Sequence, residues 1–174
     1  NKIKAFGCNT DFIKLNNGMS RINVKLKSNE ESEINGQGPS ISDQDLKELY
    51  RKLELLREGD ILVLAGSIPA TLPKNIYEII MERLSGKGIR FIVDATGELL
   101  LNVLKYKPFL IKPNHHELAE LFNATIENED DIVIYAKKLR EMGAQNVLIS
   151  RAGDGAIFVT EKDEIINRMY LKEL

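Results

Sequence analysis

What the chain lacks narrows its possibilities first. One cysteine, Cys8, stands in 174 residues. That excludes an internal disulfide and any multi-cysteine metal site, and it fits a reducing cytoplasm. Tryptophan is absent, and the six Phe and five Tyr are scattered. With 24 Lys and Arg against 26 Asp and Glu, net −2, there is no basic stripe with interleaved aromatics, so nucleic acid is not an expected partner. The longest apolar stretches, Ile61–Ala65 and Phe109–Ile111, fall far short of the ~20 residues that cross a bilayer. No charged-then-apolar leader opens the chain, so neither membrane nor secretion is expected. Asn1 to Gly7 reads as a helix tail closing at glycine, and Arg168 to Leu174 follows a strand without a packing partner, so both ends read as cut. What is present is ordinary for a soluble globular protein, 43% hydrophobic and 29% charged residues, enough for about one domain.

The hydrophobic period changes along the chain. Phe12–Leu15 before Asn16-Asn17-Gly18 carries a strong hairpin signal. The next strand alternates, with Ile22, Val24 and Leu26 on one face and Arg21, Asn23, Lys25 and Lys27 on the other. A turn at Ser28–Glu30 returns it through Ile34, and Asn35-Gly36 and Gly38-Pro39 end this part. Ser42 or Asp43 then caps a helix bearing Leu46, Leu49, Tyr50 and Leu53. From Ile61 onward, strands that are apolar on both faces alternate with helices: Ile61–Ala65, Ile89–Val93, Phe109–Lys112 and Val147–Ser150, followed by Ala156–Thr160 pairing with Glu164–Asn167. Apolarity on both faces marks strands of a parallel sheet, and the alternation predicts a doubly wound α/β sheet with helices on both faces.

Ligands of such sheets bind beyond the carboxyl ends of the strands. That rule selects four segments, each with a plain structural reading beside the functional one. Gly66-Ser67-Ile68-Pro69 is either a tight strand exit or a place where substrate touches backbone. Asp94 either caps the following turn or joins a metal–water network. In Lys112-Pro113-Asn114-His115-His116-Glu117, proline stops the strand, Asn114 is a helix N-cap, and Glu117 three residues on completes a capping box. The same helix start could offer Lys112 and Asn114 to an anion and Glu117 to a hydrated Mg²⁺. His115 and His116 are adjacent, so they point apart and read as solvated. Ser150–Gly155 is either a glycine-rich turn or a backbone cradle for phosphate, with Ser150 as a further donor. The polar face Arg21, Asn23 and Lys25 is either solvated or grips a phosphate through Arg21.

Six segments taken in order are similar to those of the ribokinase/PfkB sugar kinases: Ser20–Leu26, Glu33–Gly36, Ala65–Pro69, Asp94–Gly97, Lys112–Glu117 and Ser150–Gly155. The resemblance runs from about Gly7 to Asn167 and, through Arg21-Ile22-Asn23-Val24-Lys25, favours the branch acting on fructose 1-phosphate over the tagatose 6-phosphate kinases. It implies a ribokinase-like fold divided as 1–11 (helix end and link), 12–40 (β-lid hairpins) and 41–174 (an incomplete α/β core). The implied reaction is ATP- and Mg²⁺-dependent phosphoryl transfer to a phosphorylated ketohexose, giving fructose 1,6-bisphosphate in the cytoplasm. Arg21, Asn23 and Ser67 would meet the sugar. Lys112, Asn114, Ser150, Gly153 and Gly155 would serve ATP, with Glu117 and Asp94 holding Mg²⁺ through water. Lids of this family pair across a homodimer.

Departures accompany the likeness. Ser20 replaces the usual Thr, Gln37 a common Pro, and Ala152 a common glycine, a change that is awkward if φ there is positive. The family's early Gly-Gly-Lys-Gly segment and its later Gly-Ala-Gly-Asp segment, which holds the catalytic base, are not among these residues. The expectation is therefore a partial, inactive form whose catalytic Asp lies beyond Leu174. The alternatives are a tagatose-6-phosphate kinase and a non-catalytic phosphosugar-binding or dimerisation module.

Overall fold

The computed structural model describes residues 2–27, 31–36 and 38–168. The turn expected at Ser28–Glu30, the Gln37 position and the tail from residue 169 lie outside them. The chain divides into two compact units, residues 1–55 with 68–73, and 56–67 with 74–174.

The first unit opens with one helical turn, α1 (Lys2–Ala5), and holds an antiparallel hairpin of β1 (Asn23–Lys27) and β2 (Glu31–Asn35). The register sets Val24 against Ile34, and the Gly36 amide donates to the Ile22 carbonyl at 3.0 Å, extending the pairing by one step. Helix α2 (Asp43–Leu53) starts at Ser42, whose hydroxyl accepts from the Asp45 amide at 3.2 Å while Asp45 Oδ2 accepts from the Ser42 amide at 3.0 Å. This reciprocal box satisfies two donors that a helix start otherwise leaves open.

Two expectations change here. Phe12–Leu15 is not a strand, so there is one lid hairpin and not two. Ile13 and Leu15 instead line an apolar cavity with Ile41, Leu46, Leu49 and Leu72. Helix α2 groups with the lid segment, and the expected break near residue 41 falls after α2 instead.

The second unit is a six-stranded sheet in chain order: β3 (Ile61–Ala65), β4 (Arg90–Asp94), β5 (Leu110–Ile111), β6 (Asn146–Ser150), β7 (Ala156–Val159) and β8 (Ile165–Arg168). The first three pairings are parallel and the last two antiparallel. Crossovers carry α3 (Ile76–Arg83), α4 (Gly97–Val103) with a 3-10 turn at Leu104–Tyr106, and then α5 (His115–Phe122) with α6 (Glu129–Glu141). This is the mixed, mostly parallel α/β sheet that the strand–helix alternation predicts.

The register separates two faces. Phe91, Val93, Ile111, Val147, Ile149, Ile157 and Val159 are all buried, and with Leu100, Val103, Leu118, Ala136 and Leu139 of the helices they form the core. On the other face Ile61 and Val63 are more than half exposed, and Ile92, Leu110, Leu148 and Phe158 are half-buried. Asn146 is the exception, a buried polar side chain on that second face. Its amide donates to the Phe109 carbonyl at 2.8 Å and its oxygen accepts from the Glu161 amide at 3.0 Å, so burial leaves nothing unpaired. After α6 the chain turns at Gly143, with φ +135, where an added Cβ would lie 2.1 Å from the Leu104 carbonyl oxygen. Only glycine fits that approach.

Candidate functional site

Parallel pairing gathers the carboxyl ends of β3 to β6 on one rim. Ala65 stands opposite Asp94, the Lys112 amide donates to the Val93 carbonyl at 3.1 Å, and Asn114 forms a parallel bridge with Ser150. Asp94, Lys112, Asn114 and Ser150 are thus neighbours because their strands are. The Lys112 ammonium lies 3.2 Å from Asp94 Oδ1, with both side chains well exposed. An ion pair of that kind adds little stability, under about 1 kcal/mol, but it orients both groups along the rim. At the end of β3, Ser67 is exposed, and the preceding Gly66 carbonyl accepts from the Tyr77 hydroxyl at 2.9 Å. Burial, followed by the nearby Asp94 charge, pushes the Tyr77 phenol above its ordinary pKa, so it stays a neutral donor.

The start of α5 realises the capping box. Asn114 Oδ1 accepts from the amides of His116 and Glu117, each at 2.9 Å, and Glu117 Oε2 accepts from the Asn114 amide at 2.8 Å. The amides an anion would meet at this terminus are therefore engaged by Asn114. What faces outward chemically is the Lys112 ammonium and the remaining Asn114 amide donors. Glu117 keeps one carboxylate oxygen outside the box, enough to order a hydrated cation through water. No cluster of three or more metal-ligating side chains exists among the described residues, and a lone carboxylate oxygen such as that of Glu117 suits contact with a hydrated Mg²⁺ through water. The expectation that the two histidines point apart fails. Their ring centroids lie 3.9 Å apart, and His115 is half-buried with Nδ1 3.4 Å from the Ser150 carbonyl, which draws it toward the rim.

The loop after β6 is more constrained than its composition suggests. The Arg151 amide donates to the Gly155 carbonyl at 2.8 Å, Asp154 to Arg151 at 3.0 Å and Gly155 to Ala152 at 3.2 Å. The amides of Ala152 and Gly153 take no part in these bonds. Ala152 has φ +48, a left-handed conformation that strains a residue with a Cβ by about 1–2 kcal/mol. The Arg151 guanidinium secures the loop by pairing with Glu129 and donating to the Asp154 carbonyl at 3.1 Å, while Glu129 Oε2 accepts from Asn167 at 2.5 Å. Glu129, Arg151, Asn167 and Tyr77 hold the site in shape, yet they carry no local signature in the sequence.

Arg21 and Asn23 belong to the first unit. Arg21 is exposed just before β1, and Asn23 opens that strand opposite Asn35. The structure thus brings Asp94, Lys112, Asn114, Glu117 and the Ser150–Gly155 loop onto one rim, with Ser67 at the end of the neighbouring strand, and sets Arg21 and Asn23 on the hairpin.

Residues 1–169 match the model of the pfkB family carbohydrate kinases. A 1-phosphofructokinase of Bacillus subtilis is 52% identical over 145 residues, which are 83% of this chain and 48% of that protein. A D-tagatose-1-phosphate kinase of Bacillus licheniformis is 37% identical, covering 86% and 49%. The crystal structure of Escherichia coli phosphofructokinase-2 in complex with fructose-6-phosphate superposes with a TM-score of 0.77 at 25% identity, covering 87% of this chain and 52% of that one. The chain spans about half the length of the curated relatives it matches. With its strand order, its capped α5 and this match along nearly its whole length, the chain belongs to the pfkB family of carbohydrate kinases.

Proposed function

We propose that this chain supplies the sugar-phosphate lid and the nucleotide-phosphate rim of an ATP-dependent kinase that converts fructose 1-phosphate to fructose 1,6-bisphosphate. The observation that carries this reading is the convergence of Lys112, Asn114 and the Ser150–Gly155 loop at adjacent parallel-strand ends. A cation and donors fixed on a rigid rim can hold a polyphosphate without reorganising, which is what transfer of a phosphoryl group asks of a protein. In this assignment Lys112 leaves Asp94 for the nucleotide phosphates, and the Ala152 and Gly153 amides and Ser150 hydroxyl add donors. Glu117 and the released Asp94 order the waters of Mg²⁺, which supplies charge neutralisation when bound. Arg21 and Asn23 take the phosphate already on the sugar, and Ser67 approaches the sugar. The work assigned to these groups is binding and orientation; none of them is assigned as the base that removes the hydroxyl proton. We place the protein in the cytoplasm; no helix among the described residues is long and apolar enough to cross a membrane.

The test is a coupled assay of the full-length protein with fructose 1-phosphate, tagatose 1-phosphate and tagatose 6-phosphate. A preference for fructose 1-phosphate is expected, and an equal or reversed preference would overturn the substrate assignment. Arg21→Ala should raise the KM for the phosphosugar roughly tenfold or more, since a charge-assisted hydrogen bond is worth ~1.5–3 kcal/mol. An unchanged KM would remove Arg21 from the site. The second substrate reading, tagatose 1-phosphate, is favoured by relatives such as the 37% identical D-tagatose-1-phosphate kinase.

The lid hairpin also leaves Ile22, Val24, Leu26 and Ile34 exposed as one apolar group. Such a face asks for cover, and we assign it to a second copy of the chain. Sedimentation velocity on the full-length protein should find a dimer; a monomer at micromolar concentration ends that assignment.

A further inference from the structure

The amino ends of the same strands carry a second cavity, at the opposite end of the sheet from the candidate site. Its volume is about 550 Å³, within the ~300–1,000 Å³ range of small-molecule pockets. The floor is apolar, made by Met81, Leu84 and Phe91, all buried. Around it stand Arg90 at the start of β4, the 3-10 turn Lys105-Tyr106-Lys107, Phe109 before β5 and Gln145 before β6. Among the described residues no carboxylate lines the cavity, while Glu78 pairs with Lys105 and the Glu58 side chain lies beside Gly88.

The cations here are placed, not scattered. The Arg90 guanidinium lies 5.4 Å from the Phe109 ring centroid, and the Lys105 ammonium lies 5.1 Å from that of Tyr106 while pairing with Glu78. Lys107 is held at φ 53, with its amide donating to the Leu104 carbonyl at 2.9 Å and its carbonyl accepting from the Gln145 side chain at 3.0 Å. A left-handed conformation is unfavourable for a lysine, and these two bonds fix the backbone on either side of it. Arg90 and Lys107 form no ion pair among the described residues. A concave surface with an apolar floor, two aromatic rings and two cations without counter-charge is complementary to a flat body bearing a negative group.

We propose that this cavity binds a small ring-bearing anion, a phosphate or carboxylate on a planar apolar body, at a site separate from the sugar and nucleotide positions. Arg90 and Lys107 take the anionic group, Tyr106 and Phe109 flank the ring, and the side-chain oxygen of Gln145, which accepts no hydrogen bond among the described residues, accepts from any ring donor. The chemistry is shared by aromatic phosphates and aromatic carboxylates, so the probes are phenyl phosphate and benzoate.

Each probe is titrated into the isotope-labelled full-length protein and followed by amide chemical shifts. Saturable shifts at Arg90, Tyr106, Lys107 and Gln145 are expected, with phenyl phosphate tighter than inorganic phosphate because the ring is held as well as the charge. Tighter binding of benzoate than of phenyl phosphate would assign the site to carboxylates and also support the proposal. Arg90→Glu and Lys107→Glu should each weaken binding roughly tenfold or more. Both positions are exposed, so the fold should survive, and unchanged shifts at Val147 and Ile149 check that it does. Shifts confined to the Ser150–Gly155 loop, no saturation in the millimolar range, or inorganic phosphate binding as tightly as phenyl phosphate would each overturn the proposal.

Discussion

The two faces of the six-stranded sheet are built from the same residue types and meet different fates. On one face Val93, Ile111, Val147 and Ile149 are wholly inaccessible to water; on the other Ile61 is 53% and Val63 56% exposed. Both faces read as apolar because a strand in a mainly parallel sheet is made to be covered twice. The helices α3 to α6 put their buried residues, Ile80, Met81, Leu100, Leu118, Ala136 and Leu139 among them, into one core. Composition tells what each face is suited to, and exposure tells what this chain itself provides. Among the described residues of this unit the sheet is packed against α3 to α6 on one side, while Asp94 and Lys112 follow Ile92 and Leu110 on the other, more open face.

The largest expected effect tests this asymmetry directly. Ile149 and Leu148 are neighbours on β6 and face opposite ways. Ile149→Ala should cost about 2–5 kcal/mol of unfolding free energy, the range for emptying a packed core position. Leu148→Ala, on the half-covered face, should cost roughly 1 kcal/mol. Urea unfolding of both variants checks the pair. Equal losses would mean the second face is packed as tightly as the first.

Much of this architecture was legible because its causes are local. Ser42 with Asp45, and Asn114 with Glu117, announce helix starts through the spacing that their hydrogen bonds require. Runs such as Ile61–Ala65 and Val147–Ser150 announce strands through β-branched apolar residues, and the rim follows once strands and helices alternate. What was not legible depends on distant partners. Glu129 meets Arg151 and Asn167 across 22 and 38 residues, and nothing in the periodicity of α6 marks that glutamate. Asn146 reads as a polar strand start until the Phe109 carbonyl and the Glu161 amide are seen to claim it. Phe12–Leu15 carries a hairpin signal, yet it is not a strand, and Ile13 and Leu15 line a cavity with Leu46 and Leu49 of α2. The sign of φ at Ala152 likewise follows from how the loop closes on Gly155, not from the alanine itself.

The smallest expected effect is the sharpest probe of the open face. Val63 lies on β3, which ends the described sheet, with its side chain more than half exposed. Val63→Lys in this chain should change the urea midpoint by no more than about 0.5 kcal/mol in stability, the usual span for surface substitutions. It should also reduce self-association seen by light scattering, because a lysine on an apolar edge strand discourages edge pairing. In a protein of full family length the same lysine would be asked to desolvate if that face is covered, and an unpaired buried charge is far more costly than a lost methyl group. The difference between the two measurements then reports what covers the second face. A large loss already in this chain would show that Val63 is packed, and the contrast between the faces would collapse.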